Sequence, residues 1–401
     1  MNKYKRIIIV VMDSLGIGNA KDAHLFSQEG TKDTGANTFN HIAEKYPNMN
    51  IPNLIKLGIK DLVPALKAEK IEHFNSYTAA LNESSNGKDT MTGHWEMMGI
   101  YTTIPFQTFT ETGFPDELVK ELERRTGHKI IGNYSSSGTK ILQELGEEQM
   151  RDNSLILYTS ADSVLQLAAH EEITGVVELY RCCEIARELC MDPKYFVGRV
   201  IARPFVGSNK DNFKRTANRH DYAVSPSKKT VMNILKDNNF ETSCIGKISD
   251  IFNGYGVTRT QKTVSNYDGM KKLIQEIENM DYEGICFVNL VEFDSEYGHR
   301  RNIEGYKNAI EEFDVQLGEL LEVLKDDDLL LITADHGNDP SWIGSDHTRE
   351  QVPLIIFSNK ISDGKYLGEI NSFGSIGATI IKNFGLKMPK SLIGEPISKL
   401  F

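Results

Sequence analysis

The sequence predicts an α/β fold built on a mainly parallel sheet, and two observations support this prediction. Short apolar runs alternate with amphipathic stretches along the chain, as they do in strand–helix units. The apolar runs are continuous rather than alternating with polar residues, which is typical of strands buried on both faces of a parallel sheet. The length of 401 residues allows about two or three domains.

The predicted strands are the clearest apolar runs: Arg6–Met12, Tyr77–Leu81, Leu155–Thr159, Ile285–Val291, Leu329–Thr333 and Val352–Phe357. The first run follows a basic N-terminus and resembles the start of a signal peptide. Its apolar part is too short, however, and ends at Asp13 without a small-residue cleavage site. We therefore expect a buried strand, no secretion signal and no membrane span.

The predicted helices show apolar residues every three or four positions. They are Pro115–Arg125, Glu178–Leu189, Gly269–Asn279 and Gly305–Leu324. In the last one, Ile310, Phe313 and Leu317 define the apolar stripe. No internal repeat is visible in the sequence.

Composition excludes several classes of protein. Hydrophobic residues make up 40% and charged residues 25%, which is ordinary for a globular protein and unlike a disordered, fibrous or membrane-spanning chain. The 45 basic and 56 acidic side chains give a net charge of −11, so nucleic acid is not an expected partner. The 5 cysteines show no disulfide or C-x-x-C spacing, which predicts a reducing, cytoplasmic location.

Aspartates follow several of the predicted strands: Asp13, Asp294 and Asp335, with Asp162 showing the same pattern. The carboxyl ends of parallel strands meet at one edge of the sheet, so these carboxylates should converge. Repulsion and desolvation make such a cluster unfavourable unless a cation neutralises it. The pattern therefore predicts a metal site.

Three histidines accompany these aspartates: His336 adjoins Asp335, His299 follows Asp294 by five positions, and His347 lies eleven residues beyond His336. A five-residue spacing does not match one face of an α-helix and predicts a loop that folds back. Six ligands exceed the needs of one tetrahedral ion and suit two ions about 4 Å apart, as in phosphoryl-transfer enzymes. The oxygen and imidazole donors suit manganese, magnesium or zinc, with manganese favoured because none of the six ligands is a cysteine.

A nucleophile is predicted in the segment Ser84–Glu96, where a strand leads through a glycine-containing loop into a helix that starts near Thr90. A hydroxyl there would meet the positive end of the helix dipole and could attack phosphorus. The alternative is that Thr90 only caps the helix. Thr92 and Ser85 compete with it for the role of nucleophile.

A basic cluster stands out against the acidic background and could grip phosphate, although an exposed, solvated face is an equally good interpretation. It comprises Arg199, Arg203, Lys210, Lys214, Arg215, Arg219 and His220. Lys247, after another predicted strand, is a further candidate for phosphate binding.

Long motifs resemble the phosphopentomutase family of the alkaline-phosphatase superfamily. These motifs are Gly87–Glu96, Ala334–Asp339, Asp346–Glu350, Gly198–Gly207 and Arg219–Ala223. The resemblance runs from Met12 to Ala378 and so covers nearly the whole chain.

The resemblance implies an alkaline-phosphatase-like core with an inserted α+β cap. The expected parts are core residues 1–103, cap residues 104–221 and core residues 222–401. It also implies two manganese ions, one bound by Asp13, Asp335 and His336 and the other by Asp294, His299 and His347. Thr90 would be the phosphorylated nucleophile. Sugar and phosphate contacts would come from Ser160, Asp162, Val164, Arg199, Ile201, Arg215 and Lys247, so that Asp162 faces substrate and not metal.

The expected activity is the interconversion of ribose 1-phosphate and ribose 5-phosphate, or their 2-deoxy forms, through phospho-Thr90 and a 1,5-bisphosphate. A sugar bisphosphate would prime the enzyme, and the cap would close to exclude water. The alternatives are a metal-dependent phosphatase or phosphodiesterase, a relative of cofactor-independent phosphoglycerate mutase, or a catalytically silent metal-binding module. The oligomeric state is not predicted.

Overall fold

A computed structural model describes residues 3–68, 73–160 and 162–401, so the first two residues of the N-terminal segment lie outside it. The chain divides into two compact units. Unit 1 comprises Met1–Thr103 and Ser225–Phe401, and unit 2 comprises Ile104–Val224. Unit 2 is thus one continuous stretch inserted into unit 1.

The strands are β1 Arg6–Met12, β2 Ser27–Gln28, β3 Thr31–Lys32, β4 Ser76–Leu81, β5 Ile130–Ser135, β6 Leu155–Thr159, β7 Val164–His170, β8 Arg199–Val206, β9 Lys214–Arg215, β10 His220–Ala223, β11 Glu241–Ile245, β12 Arg259–Gln261, β13 Gly284–Leu290, β14 Asp328–Thr333, β15 Val352–Phe357 and β16 Lys365–Ile370.

The α-helices are α1 Thr38–Lys45, α2 Pro52–Lys56, α3 Thr90–Met97, α4 Asp116–Thr126, α5 Gly138–Asp152, α6 Val176–Leu189, α7 Val231–Asp237, α8 Ile248–Ile251, α9 Asn266–Asn279, α10 Ile303–Val323 and α11 Gly374–Asn383. Short 3₁₀ turns occupy Ala23–Leu25, Ile59–Asp61, Pro193–Tyr195 and Ser398–Leu400, and a π-helical turn spans Phe293–Gly298.

Unit 1 contains an eight-stranded sheet in the order β12-β11-β13-β1-β14-β15-β4-β16. The strands from β12 to β14 are parallel, whereas β15 runs antiparallel to both of its neighbours. β1 lies between β13 and β14, and all of its residues are buried. This central position explains why the run after Arg6 is uniformly apolar.

Arg6 is the one charged residue of β1, and an ion pair accounts for its burial. Its Nε and Nη2 atoms donate to the two carboxylate oxygens of Asp328, at 2.8 and 2.7 Å. Both side chains are 1% exposed, and Nη1 donates to the carbonyls of Ile277 and Met280. This bidentate geometry fastens the start of β1 to the start of β14.

Unit 2 has its own sheet in the order β10-β8-β7-β6-β5, with β9 paired to β8. One face packs with α4 and α6 through an apolar cluster that includes Leu118, Leu179 and Val200. On the other face, Ile141 and Leu142 of α5 pack with a smaller cluster.

The predicted strands and helices are confirmed, with shifts at their ends. β13 begins and ends one residue earlier than predicted, and α6 begins at Val176 instead of Glu178. α9 and α10 start earlier because Ser265 and Asn302 cap them, accepting from the backbone N–H groups of Asp268 and Gly305. In the described part of the chain, every helix is too short or too polar to cross a membrane.

Candidate metal centre

Three carboxylates gather at the carboxyl ends of the central strands of unit 1. Asp13 directly follows β1, Asp335 lies two residues beyond β14, and Asp294 lies in the π-helical turn after β13. These residues are 1%, 0% and 6% exposed, respectively. The order of the three strands places these residues side by side, as strand-end positions in a parallel sheet should be.

The π-helical turn replaces the loop that the five-residue spacing predicted, and in this respect the prediction was wrong. His299 N donates to Asp294 O at 3.0 Å, which is the i→i+5 hydrogen bond of a π-helix. A five-residue repeat puts both residues on one side of the turn. Accordingly, His299 Nε2 lies 3.0 Å from Asp294 Oδ2.

Asp13, Asp335 and His336 form a first group of possible metal ligands, whose ligand atoms all lie within 4.8 Å of one another. His336 Nε2 is 3.4 Å from Asp13 Oδ1 and 3.4 Å from Asp335 Oδ2. On the other side of the ring, His336 Nδ1 donates to the carbonyl of Gly337 at 3.1 Å. In the neutral ring, this contact leaves Nε2 with a lone pair directed at the carboxylates.

Asp294, His336 and His347 form a second group within the same distance limit. His347 Nε2 is 3.6 Å from Asp294 Oδ1 and 3.2 Å from His299 Nε2. His299 Nδ1 donates to the carbonyl of Ser345 at 2.6 Å, so its Nε2 is also an acceptor when the ring is neutral. Acceptor nitrogens and a carboxylate facing one another form a ready ligand set for a cation.

The surroundings of two buried carboxylate oxygens indicate whether a metal would fit between these groups. Asp13 Oδ1 and Asp335 Oδ2 have no hydrogen-bond partner among the described residues. Burial, followed by repulsion from Asp335, raises the pKa of Asp13. Burial would also raise the pKa of Asp294, but the imidazoles of His299 and His347 outweigh it and hold that pKa well below its usual range. Unsatisfied, mutually repelling carboxylates beside acceptor nitrogens fit divalent cations.

Neighbouring side chains that the sequence did not single out hold the carboxylates in place. Asn289 Nδ2 donates to Asp13 Oδ2 and Asn338 Nδ2 donates to Asp294 Oδ1, each at 2.8 Å. Both lie near strand ends, and Asn338 also belongs to the motif Ala334–Asp339, but neither signal predicted the role of these amides. Such outer contacts orient metal ligands.

Thr90 is the first residue of α3, and its Oγ1 lies 3.1 Å from His336 Nε2. The helix cap is Asp89, whose carboxylate accepts from the N–H of Thr92. The alternative that Thr90 merely caps the helix is therefore wrong.

The competing hydroxyls are fully buried and engaged elsewhere. Thr92 Oγ1 donates to Asp89 Oδ2 at 2.6 Å, and Ser85 Oγ accepts from the N–H of Thr102 at 3.1 Å. Thr90 is only partly buried. Of the three hydroxyls, Thr90 thus has the contact with a residue of the metal-ligand groups.

Helix α3 packs very closely on the strand end that carries Asp335. A Cβ atom at Gly93 would lie 2.1 Å from Asp335 O, so this position requires glycine. His94 Nδ1 lies 2.8 Å from Thr90 O and 3.1 Å from Asp335 Oδ2. These contacts fix Thr90 relative to Asp335.

The other predicted site residues lie mostly in unit 2, where Arg199 Nη2 donates to Asp162 Oδ2 at 3.0 Å. Asp162 follows β6 of the second sheet and therefore does not belong to the strand-end pattern of unit 1. Lys247 lies in unit 1, between β11 and α8. The remaining positions are Ser160 after β6, Val164 on β7, Arg199 and Ile201 on β8, and Arg215 on β9.

Comparisons with known proteins place these observations in a family. A model of the metalloenzyme superfamily matches residues 5–388. The phosphopentomutase of Clostridium botulinum (strain Alaska E43 / Type E3) is 54% identical over 397 residues, which cover 99% of each chain. The phosphopentomutase of Clostridium beijerinckii is 53% identical over 401 residues, which cover 100% of each chain.

Among solved structures, the PH0037 protein from Pyrococcus horikoshii superposes with a TM-score of 0.50 and 13% identity, over 97% of this chain and 99% of that one. At this identity the similarity concerns the fold alone. Together with the superfamily match, it confirms the predicted fold class.

Proposed function

The chain belongs to the phosphopentomutase family, and we propose that it interconverts ribose 1-phosphate and ribose 5-phosphate, or their 2-deoxy forms. It is an isomerase of the intramolecular phosphotransferase type. The observation that carries the proposal is the 3.1 Å contact between Thr90 Oγ1 and His336 Nε2, beside the two groups of possible metal ligands.

The proposed metals are two manganese ions. Asp13, Asp335 and His336 would hold one ion, and the second would be held by Asp294, His299 and His347. When bound, such ions neutralise charge on a transferring phosphoryl group and on the attacking and leaving oxygens. The donor set of carboxylate oxygens and imidazole nitrogens, without thiolates, supports this assignment.

Thr90 is the proposed carrier of the phosphoryl group. In the first transfer, the free sugar hydroxyl forms a bond to the phosphorus of phospho-Thr90 while the bond between phosphorus and Thr90 Oγ1 breaks, and the proton of the sugar hydroxyl ends on Thr90 Oγ1. The product is a 1,5-bisphosphate. In the second transfer, Thr90 Oγ1 attacks the other phosphorus of this intermediate, the bond from that phosphorus to the sugar oxygen breaks, and the proton of Thr90 ends on that oxygen. This step releases the isomeric monophosphate and restores phospho-Thr90. A sugar bisphosphate would prime the unphosphorylated enzyme.

Unit 2 is proposed to act as the cap that supplies most of the sugar and phosphate contacts. The residues concerned are Ser160, Asp162, Val164, Arg199, Ile201 and Arg215, with Lys247 from unit 1. The ion pair between Asp162 and Arg199 supports this role, since it holds a guanidinium in a fixed position. The partners are then small pentose phosphates, without nucleic acid or membrane.

We place the protein in the cytoplasm, because its five cysteines are free and buried, as suits a reducing compartment.

The test is to supply ribose 1-phosphate, manganese and a trace of sugar bisphosphate, and to separate the products. Ribose 5-phosphate is the expected product. Free phosphate would instead identify a metal-dependent phosphatase, and no turnover would identify a binding module; either result would overturn the proposal.

A further inference from the structure

The hydroxyl of Tyr158 is a polar group in unit 2 without an evident partner. Tyr158 lies on β6 and is only 1% exposed. Within the described part of the chain its hydroxyl makes no hydrogen bond. Although the ring is buried, the hydroxyl oxygen itself keeps some access to solvent. It can therefore donate a hydrogen bond to a ligand that approaches from solvent.

Two arginine side chains lie near this hydroxyl. A Cβ atom built on Gly138 would lie 3.1 Å from the Tyr158 hydroxyl and 3.0 Å from Arg215 Nη1, so the two groups border the same small space. Arg203 Nε donates to Gln166 Oε1 at 3.0 Å, and Gln166 is the residue paired with Tyr158 across β6 and β7. The guanidinium of Arg203 thus lies one strand away from the phenol.

The positive charge of this cluster is only partly compensated. Arg219 is held by Asp221 through two hydrogen bonds of 2.7 and 2.6 Å. Arg203 instead contacts a neutral amide, and Arg215 has no carboxylate partner among the described residues. Burial, followed by repulsion from Arg219, lowers the pKa of Arg203. Two uncompensated guanidiniums match the charge of one phosphate dianion.

The cluster also continues a face that carries proposed substrate residues. Side chains two apart on a strand share a face, so Arg199, Ile201 and Arg203 lie on one face of β8. Arg203 is therefore the next position along this face after Ile201.

We propose that Tyr158, Arg203 and Arg215 form a phosphate-binding site in unit 2, in which Tyr158 and Arg203 are additional recognition residues. The two guanidiniums and the phenol would each donate to phosphate oxygens. The inference rests on the proposed function for the identity of the ligand, a pentose phosphate, and extends it by naming the groups that recognise the phosphate.

The test is the affinity of the full-length, manganese-loaded protein for ribose 5-phosphate, measured by calorimetry in a Thr90→Ala background so that the ligand is not turned over. Loss of the phenolic hydrogen bond in Tyr158→Phe should weaken binding about tenfold, because its acceptor is charged. Arg203→Gln should weaken binding by at least about tenfold. Unphosphorylated ribose should bind equally to all variants, because it lacks the recognised group.

Arg124→Gln is the matched control, since it removes an exposed arginine of the same unit that pairs with Glu121 on its own helix. It should bind ribose 5-phosphate like the parent. Affinities within twofold of the parent for both Tyr158→Phe and Arg203→Gln would overturn the inference, as would an equal loss in Arg124→Gln. Tyr158→Phe keeps the ring, so it remains informative if Arg203→Gln does not fold.

Failure of the inferred phosphate site and failure of the proposed function can be distinguished by comparing this experiment with the isomerase assay. Binding that depends on Arg203, without isomerisation by the unmodified protein, would reject the proposed function and retain the site. Isomerisation combined with unchanged binding in both variants would retain the proposed function and reject the phosphate-binding site.

Discussion

Arg349 and Glu83 form an ion pair inside unit 1, with side chains that are 1% and 3% exposed. The Arg349 guanidinium also donates to the carbonyl of Gly87 and to both carboxylate oxygens of Asp22. One side chain therefore connects the loop before Thr90 to the loop that carries His347.

Lys88 connects the same region a second time, because its Nζ lies 3.1 Å from Asp33 Oδ2 and 3.2 Å from Asp346 Oδ2.

Replacement of Arg349 by Met should destabilise the protein by about 3–5 kcal/mol, because Glu83 is left as an uncompensated buried charge. The free energy of unfolding from urea titration measures this. Lys229→Gln, which breaks the exposed ion pair with Asp237, should cost less than about 1 kcal/mol. A loss below 1 kcal/mol in Arg349→Met would mean that the pair contributes little.

The variant Gly93→Ala should lose both metal and activity, because its Cβ would meet the carbonyl of Asp335 at 2.1 Å. The matched control is Gly269→Ala in α9, where the nearest atom is the flexible end of Leu290 at 3.1 Å. This control should keep its metal. Elemental analysis of the purified proteins makes the comparison, and full metal content in Gly93→Ala would contradict the close packing described above.

Replacing a buried carboxylate usually destabilises a protein, but in the metal-free form of this protein we expect replacement of Asp13 to stabilise it. In the metal-free protein, Asp13→Asn removes burial of a charge and repulsion with Asp335, so the melting temperature should rise by roughly 2 °C. Added manganese should then stabilise the unmodified protein much more than the variant. Differential scanning calorimetry with and without chelator tests both statements. Equal stabilisation by manganese would argue against Asp13 as a ligand.

The three candidate hydroxyls can be separated by mass spectrometry of the intact protein. Thr90→Ala should lose at least about 10³-fold in activity and gain no phosphoryl group, with its metal content near that of the parent. Thr92→Ala and Ser85→Ala should still be phosphorylated, because those hydroxyls are buried and serve structural contacts. Phosphorylation of the Thr90→Ala variant would show that a residue other than Thr90 is the nucleophile.

Glu178 should contribute to the acid stability of unit 2. Hydrogen bonds from Arg181, against a smaller effect of burial, lower its pKa to about 2. Because the folded-state pKa is depressed, the stabilisation is complete above the unfolded-state pKa of about 4.3 and disappears as the pH falls towards 2. Glu178→Gln should therefore cost up to about 1 kcal/mol at pH 7, and the difference from the parent should vanish near pH 2. Unfolding titrations at several pH values measure this; a constant difference would contradict it.

The proximity of the residues at the strand ends was predictable from the sequence, because the carboxyl ends of neighbouring parallel strands lie at the same edge of a sheet. Asp13 and Asp335 needed only the position of their strands to be paired. Asp294 and His299 could not be placed as accurately, since a π-helical turn differs from a loop by hydrogen bonds that side-chain patterns do not reveal. Asn289 and Asn338 were missed for another reason: their role depends on neighbours that are distant in the sequence.

The residue that caps the helix at Thr90 likewise could not be identified from the sequence. The sequence located the start to within one residue, but aspartate and threonine are both good caps, and only the hydrogen bond from Thr92 N to Asp89 distinguishes them.

The insertion of unit 2 as one uninterrupted segment has an evolutionary consequence. All eight strands of the large sheet come from outside residues 104–224, and the strands within that segment pair among themselves in the described structure. Recombination at the two ends of this segment could therefore exchange it without breaking a strand of the large sheet. Because unit 2 is the proposed source of most substrate contacts, new substrate preferences could arise in this way while the proposed metal centre at the strand ends stays intact.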